Sequence, residues 1–158
     1  MSRTPASVWR NPVHFAAFGF GSGAFPVAPG TAGTLMAVLL YGLLPTMSWP
    51  VYLLFLLLGF ALGVFLCGRT AADIGVHDHG GIVWDEFVGY WITMFLAPTG
   101  WQYWVAGFVL FRLFDIVKPW PIRWLDRHVE GGLGIMIDDV LAGLMAWACL
   151  QLAVWVFL

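Results

Sequence analysis

Long apolar runs separated by short polar segments make up most of the chain, and five of these runs predict helices. They extend from about Thr34 to Pro45, Val51 to Cys67, Trp84 to Ala97, Trp101 to Val117 and Gly134 to Leu158. Several are shorter than the roughly 20 residues of a usual membrane crossing, so we expect their ends to extend into the polar segments or the local bilayer to be thin. The pattern predicts an all-α membrane protein built on a small bundle of about five transmembrane helices.

Two further segments are expected beside this bundle. From Pro12 to Phe20 the chain is apolar but too short to span, and the glycine- and proline-rich stretch that follows up to Thr34 cannot be regular helix throughout. Because non-helical backbone at membrane depth must be buried in protein or face water, we expect a re-entrant or interfacial segment here. Between Pro119 and Gly131, apolar and charged residues fall on separate helical stripes, which predicts an amphipathic helix in the headgroup layer.

The composition is that of a membrane protein, with 61% hydrophobic, 17% aromatic and only 10% charged residues. A transmembrane barrel would need segments of roughly ten residues in which apolar and polar residues alternate, and these runs do not alternate. Cys67 and Cys149 lie inside apolar runs, so we expect them to pack there rather than form a disulfide. We expect no signal peptide, and one membrane domain over residues 1–158.

The charged residues all fall on one side of the predicted crossings. They precede the first helix, lie between the second and third, or lie between late in the fourth and early in the fifth, whereas the turns around Ser48 and Thr99 carry none. All seven Lys and Arg residues are on this side. The positive-inside rule therefore predicts that this side faces the cytoplasm and that the C-terminus lies outside.

Two acidic pairs, Asp85–Glu86 and Asp138–Asp139, stand at the beginnings of apolar helices on this side. Ionisable groups near a bilayer are costly and usually paired, hydrated or metal-bound, and four neighbouring carboxylates would need a cation between them. Mg²⁺ suits such oxygen ligands and would polarise a bound phosphoryl group. We expect all four acids to hold Mg²⁺ in a catalytic site, the alternative being solvated acids at helix ends.

Nearby polar residues admit both a functional and a structural interpretation. His77 and His79 are spaced as in some metal sites and could act as acid–base groups, but a hydrated loop suits them equally, and Asp78 between them shares these alternatives. Asp115 follows Arg112 by three residues, which suits either a salt bridge or a catalytic role for the acid.

Candidate phosphate ligands flank the acids. Lys118 lies at the mouth of the fourth helix and is expected to bind substrate phosphate, whereas contact with the anionic leaflet is the simpler role for Arg123 and Arg127. Gly30 and Thr31 belong to a glycine-rich segment whose backbone N–H groups and hydroxyls suit a phosphate. No Gly-Lys-Ser/Thr follows, so nucleotide binding is not expected.

Two rival functions use acids on membrane helices. A cation transporter or channel predicts acids that continue through the bilayer, but the outer turns and the rest of the fifth helix are uncharged. A transferase that joins two alcohols from a CDP-linked donor would carry a spaced Asp-x-x-Asp-Gly motif, which this sequence lacks. The transporter is kept as the alternative to a metal-assisted phosphomonoesterase.

Several blocks spread over nearly the whole chain carry a family resemblance. They are Gly19–Gly23, Pro29–Thr31, His77–Gly80, Ile82–Phe87, Phe111–Arg112, Asp115, Lys118–Trp124, Gly131–Gly132 and Gly134–Asp139. These blocks resemble bacterial phosphatidylglycerophosphatase A, a family of membrane lipid phosphatases. The resemblance implies Mg²⁺-dependent removal of the terminal phosphate from phosphatidylglycerophosphate, giving phosphatidylglycerol, in the bacterial inner membrane. The expected partners are this lipid and the bilayer, with no nucleic acid.

The expected mechanism assigns each candidate a role. Asp85, Glu86, Asp138 and Asp139 would hold one or two Mg²⁺, and water would attack the phosphorus in line. The expected phosphate ligands are Gly30, Thr31, His77, Arg112 and Lys118. Asp115 or His79 would take the proton, and a phospho-enzyme formed on an aspartate is the alternative.

Overall fold

The structure, a computed structural model, describes residues 4–76 and 79–157. Within these ranges it contains helices and turns but no strand, which confirms the all-α class. The α-helices are α1 (Pro12–Ala17), α2 (Pro29–Leu43), α3 (Trp49–Ile74), α4 (Trp84–Thr93), α5 (Trp101–Val117), α6 (Ile122–His128) and α7 (Gly131–Phe157). Short 3₁₀ helices span Ala6–Trp9 and Gly19–Ala24.

Helix α7 is the centre of the fold, because α3, α4, α5 and α6 all pack against it. Small residues let the backbones approach closely, as is common where apolar helices pack together. A Cβ added at Gly143 would collide with the carbonyl oxygen of Gly89 on α4. Likewise, a Cβ at Gly132 would collide with the Val64 carbonyl oxygen on α3. The backbones of α3 and α4 are therefore in direct contact with the backbone of α7. This contact fixes the acids on α4 relative to those on α7.

The largest differences from the predicted helix bounds are at three helix ends. Helix α2 begins at Pro29, before Thr34, because the proline occupies its first turn and the glycines after it are helical. Helix α3 continues seven residues past Cys67 and ends at Gly75, which adopts the left-handed conformation (φ 69°) that terminates many helices. Helix α4 stops at Thr93, four residues before Ala97. The bounds of α5 agree with the prediction.

Two helices within the described residues, α3 and α7, are long and apolar enough to cross a membrane by length and composition. Only 22% of the most apolar window of each is buried inside the protein. At 1.5 Å per residue, α4 and α2 are only ~15 and ~22 Å long, short of the ~30 Å hydrocarbon core. The prediction of about five crossings is therefore not confirmed, although two membrane-spanning candidates are present.

The N-terminal segment packs against the rest of the bundle. His14 on α1 is buried, and its ring nitrogens lie 2.9 Å from Ser7 Oγ and 3.1 Å from Asp73 Oδ2 near the end of α3. The Val83 N–H donates to the Ala17 carbonyl at 2.9 Å, immediately before α4 begins. The segment predicted to be re-entrant or interfacial thus supports the start of α4, where Asp85 and Glu86 lie.

Candidate active site

A polar cavity of ≈ 340 Å³ lies where the N-terminal parts of α4 and α7 meet the C-terminal end of α5. The charged residues that line it are Asp85, Glu86, Asp115, Lys118, Asp126, Asp138 and Asp139. Six of these seven were predicted as site residues from the sequence, and Asp126 was not. The structure therefore brings both acidic pairs into one cavity with Asp115 and Lys118.

The two acidic pairs occupy different positions in their helices. Asp85 and Glu86 lie in the first turn of α4, where the partial positive charge of the helix N-terminus stabilises carboxylates. Asp138 and Asp139 were expected at the start of a helix, but α7 begins at Gly131 and places them two turns inside. The helix-terminal effect fades within the first turn. Other groups must therefore compensate the charge of this second pair, and Lys118, which directly follows α5, contacts Asp138.

Arg112 is a cation that binds two of the acids lining the cavity. Its Nη1 lies 3.0 Å from Glu86 Oε2 and 2.6 Å from Asp115 Oδ2, and the three side chains are at most 14% exposed. The Thr34 hydroxyl donates to the same Glu86 oxygen at 2.5 Å. The salt bridge between Arg112 and Asp115 that their spacing allowed is present. Glu86 forms a second salt bridge with the same guanidinium. Thr34, which sequence reasoning missed, orients Glu86 from α2.

Lys118 is the cation that lines the cavity itself. Its Nζ donates to Asp138 Oδ2 at 2.6 Å and to Asp126 Oδ1 at 3.1 Å. Partial burial by itself would lower the pKa of Lys118, but the hydrogen bonds and negative charges of Asp138 and Asp126 raise it above its usual value. The ammonium therefore stays charged and is held at the cavity wall.

Two buried carboxylate oxygens in the cavity have no hydrogen-bond partner in the described part of the chain, Asp138 Oδ1 and Asp139 Oδ2. Asp139 is only 3% exposed, and the charges of Asp85, Asp115, Asp138 and Glu86 all act on it. Unpaired buried carboxylates that repel one another are costly, and a bound cation would relieve that cost.

Residues 4–76 and 79–157 contain no group of three or more His, Cys, Asp or Glu side chains that could hold a metal ion. Mg²⁺, however, commonly takes one or two protein carboxylates and completes its shell with water and phosphate oxygens. The buried oxygens of Asp138 and Asp139 are donors of this kind. The donor chemistry of the cavity therefore fits Mg²⁺.

The other predicted site residues lie at the edge of the cavity or away from it. Gly30 is against the Glu86 carboxylate, which a Cβ at this position would hit. Thr31 lines a separate, apolar cavity on the other side of α2. His79 is buried behind the site, where its Nδ1 accepts from the Gly81 N–H at 3.1 Å. His77 and Asp78 lie outside the described residues, so their predicted roles stay predictions.

Comparison with known proteins identifies similar sequences along most of the chain. The family described as phosphatidylglycerophosphatase A matches residues 15–154. A phosphatidylglycerophosphatase A of Escherichia coli is 56% identical over 86% of this chain and 80% of its own length. Another of that name, from Haemophilus influenzae, is 53% identical over 86% of this chain and 85% of its own length.

The name of a third relative gives a different substrate from the names of the first two. This Bacteroides thetaiotaomicron protein, named provisionally as a phosphatidylinositol-3-phosphatase, is 43% identical over 87% of this chain and 91% of its own length. No solved structure matches the chain. All three relatives are named as phosphatases.

Proposed function

The chain belongs to the phosphatidylglycerophosphatase A family, and we propose that it hydrolyses phosphatidylglycerophosphate to phosphatidylglycerol and inorganic phosphate. As a member of this family it is a phosphatase. The observation that carries the proposal is the polar cavity in which two acidic pairs lie with Lys118, while Arg112 binds two of its acids, Glu86 and Asp115. The relatives named as phosphatases give no support to the alternative of a cation transporter.

We propose Mg²⁺ as the cofactor, held by Asp138 and Asp139, with the negative charges of Asp85 and Glu86 beside it. The buried oxygens of Asp138 and Asp139 that have no hydrogen-bond partner support this assignment. Glu86 directs its Oε2 to Arg112 and Thr34, and its Oε1 lies against Gly30 on α2. When bound, the ion would withdraw electron density from the phosphoryl group and neutralise part of its charge.

The chain's own residues supply the remaining steps. Lys118 lines the cavity and Arg112 contacts two of its acids, and the two cations would bind and orient the phosphate oxygens, which gain negative charge during the reaction. We assign Asp115 as the acceptor of the proton from the attacking water, because Asp115 lines the cavity whereas His79 does not. The contact with Arg112 at 2.6 Å holds the Asp115 carboxylate in place.

We propose that α3 and α7 cross the bacterial inner membrane and that the cavity opens to the cytoplasm. Large apolar side chains on α3 are exposed, among them Leu54 (55%), Leu58 (61%) and Phe65 (58%), and a hydrocarbon environment would cover them. The C-terminal part of α3 meets the N-terminal part of α7 at Gly68 and Gly132, so the charged ends of both helices lie on one side. The positive-inside rule orients that side.

The test is phosphate release by protein purified in a neutral detergent. With phosphatidylglycerophosphate, release is expected in Mg²⁺ and loss of release in EDTA. Phosphatidylinositol 3-phosphate, the second substrate to assay, is expected to react more slowly. Folded protein that releases no phosphate from phosphatidylglycerophosphate would refute the proposed activity. Release that continues undiminished in EDTA would refute the Mg²⁺ assignment alone.

A further inference from the structure

A second concave site of ≈ 350 Å³ adjoins the acidic cavity, and Lys118 lines both. It lies between the end of α5 and α6. The residues that line it are Val117, Lys118, Pro119, Trp120, Arg123, Trp124, Arg127 and His128. Its charged side chains are all cations, whereas those of the neighbouring cavity, Lys118 apart, are all acids. We call this site the basic pocket.

The side chains of the basic pocket are arranged by local contacts. Arg123 Nη2 donates to the Val117 carbonyl oxygen at 3.1 Å, which holds its guanidinium over the end of α5. Arg127 lies one turn further along α6, so the two guanidinium groups are on the same helix face. His128 stacks on Trp124 with ring centroids 4.6 Å apart. The pocket therefore presents two arginines beside an aromatic wall.

Its setting suits the headgroup layer of a membrane. Trp120 is 81% exposed and Trp124 54% exposed, and exposed tryptophans beside arginines are typical of the interface between hydrocarbon and water. A planar guanidinium binds phosphate oxygens in pairs, and two of them provide a site for an anion that the acidic cavity would repel. The ligand class that fits both the position and the charge is a phospholipid phosphodiester.

We propose that the basic pocket binds the phosphodiester of the substrate lipid while the acidic cavity takes its terminal phosphate. This inference rests on the proposed function. Phosphatidylglycerophosphate carries both groups, joined by one glycerol unit, and Lys118 stands between the two sites that would receive them. Arg123 and Arg127 are then specificity residues that recognise a phospholipid carrying a second phosphate, and they take no part in the bond-breaking step.

The experiment uses two inhibitors that separate the two sites. Short-chain phosphatidylglycerol carries the phosphodiester without the terminal phosphate, and orthophosphate resembles the terminal phosphate alone. Arg127→Ala and Arg123→Ala are assayed with phosphatidylglycerophosphate in micelles of a neutral detergent. Arg10→Ala is the matched control, because it removes an exposed cation outside the pocket.

For each pocket variant, KM for phosphatidylglycerophosphate and Ki for phosphatidylglycerol should rise about tenfold, the loss of one charge-assisted contact. The value of kcat and the Ki for orthophosphate should stay within about twofold, and Arg10→Ala should change none of these. Arg127→Ala gives the clearer result, because Arg123→Ala also removes a hydrogen bond to the Val117 carbonyl oxygen. Equal changes in both Ki values, or none in either, would overturn the proposal.

Two further outcomes separate this inference from its alternatives. If KM changes only when phosphatidylglycerol is added to the micelles, the pocket binds neighbouring lipids of the leaflet rather than the substrate, and the proposal fails. If the parent protein releases no phosphate, the proposed function fails instead. Direct binding of phosphatidylglycerol to the parent and to Arg127→Ala then tests the pocket by itself, and equal affinities would refute it.

Discussion

Lys118 Nζ lies 2.6 Å from Asp138 Oδ2, and this ion pair joins the end of α5 to an acid two turns inside α7. The lysine follows α5 in a left-handed conformation (φ 45°), which turns its side chain back toward the acids instead of along the helix axis. One cation thus compensates two of the six acids that line the cavity, Asp138 and Asp126, and also borders the basic pocket. The loss of the Lys118 charge should therefore affect both the acidic cavity and the basic pocket.

We expect Lys118→Met to lower kcat/KM for phosphatidylglycerophosphate by about 100-fold or more, because removal of a preorganised donor to a reacting oxyanion has effects of this size. Asp126→Asn is the matched control, since Asp126 is the more exposed partner of the same ammonium. It should retain activity within about threefold. Steady-state assays measure kcat/KM for both variants. A kcat/KM of Lys118→Met within a few-fold of the parent value would exclude Lys118 from the reaction.

Asp139→Asn should remove turnover and yet stabilise the protein in EDTA. Asp139 is buried among four other carboxylates, so an uncharged amide relieves repulsion that no cation offsets when Mg²⁺ is absent. We expect Tm in EDTA to rise by about 2–4 °C, the equivalent of ~1 kcal/mol. Thermal unfolding in detergent measures this shift.

The same variant tests the metal site without an activity assay. Parent protein should gain Tm on addition of Mg²⁺, because a ligand that binds only the folded state stabilises it. Asp139→Asn should gain much less, and Arg10→Ala should gain as much as the parent. An Asp139→Asn variant that gains as much Tm as the parent would show that this carboxylate does not hold the ion.

Thr34→Val should disorient Glu86 while preserving the volume at this position. The hydroxyl donates to Glu86 Oε2 at 2.5 Å in a fully buried setting, and valine cannot. We expect a loss of about 1 kcal/mol in stability and a decrease of about tenfold in kcat. In a double-mutant cycle with Glu86→Gln, the two effects should not add, because both act on one network. Additive losses would show that Thr34 acts elsewhere.

Local spacing made part of the site predictable. The acidic pairs and the contact between Arg112 and Asp115 at i,i+3 are visible in sequence because a helix fixes such neighbours. Thr34 was missed because its partner, Glu86, is 52 positions away and only the packing of α2 on α4 brings them together. The contact between Lys118 and Asp126 likewise depends on the turn between α5 and α6.

The start of α2 shows why the glycines led to a wrong prediction of where this helix begins. The glycine- and proline-rich stretch up to Thr34 was expected not to be regular helix throughout, and its last residues were expected to open the first helix with backbone N–H groups exposed for a phosphate. In the structure these last residues are helical, and their glycines serve close packing instead: Gly30 faces Glu86 and Gly33 faces Val83, one turn apart on the helix face toward α4. A single sequence cannot separate glycines needed for a turn from glycines needed for helix contact.

The contact between Gly143 and Gly89 gives a prediction about the fold itself. The backbones of α7 and α4 are so close here that a Cβ at Gly143 would meet the Gly89 carbonyl oxygen, and Thr93 Oγ1 on α4 lies 3.3 Å from the Gly143 carbonyl oxygen. Gly143→Val must push α4 away, so we expect a loss of about 1–3 kcal/mol in stability and a lower Tm in detergent. Ala148→Val, at an exposed position on the same helix, should leave Tm unchanged within about 1 °C. Equal Tm values for the two variants would refute the close approach of α4 and α7.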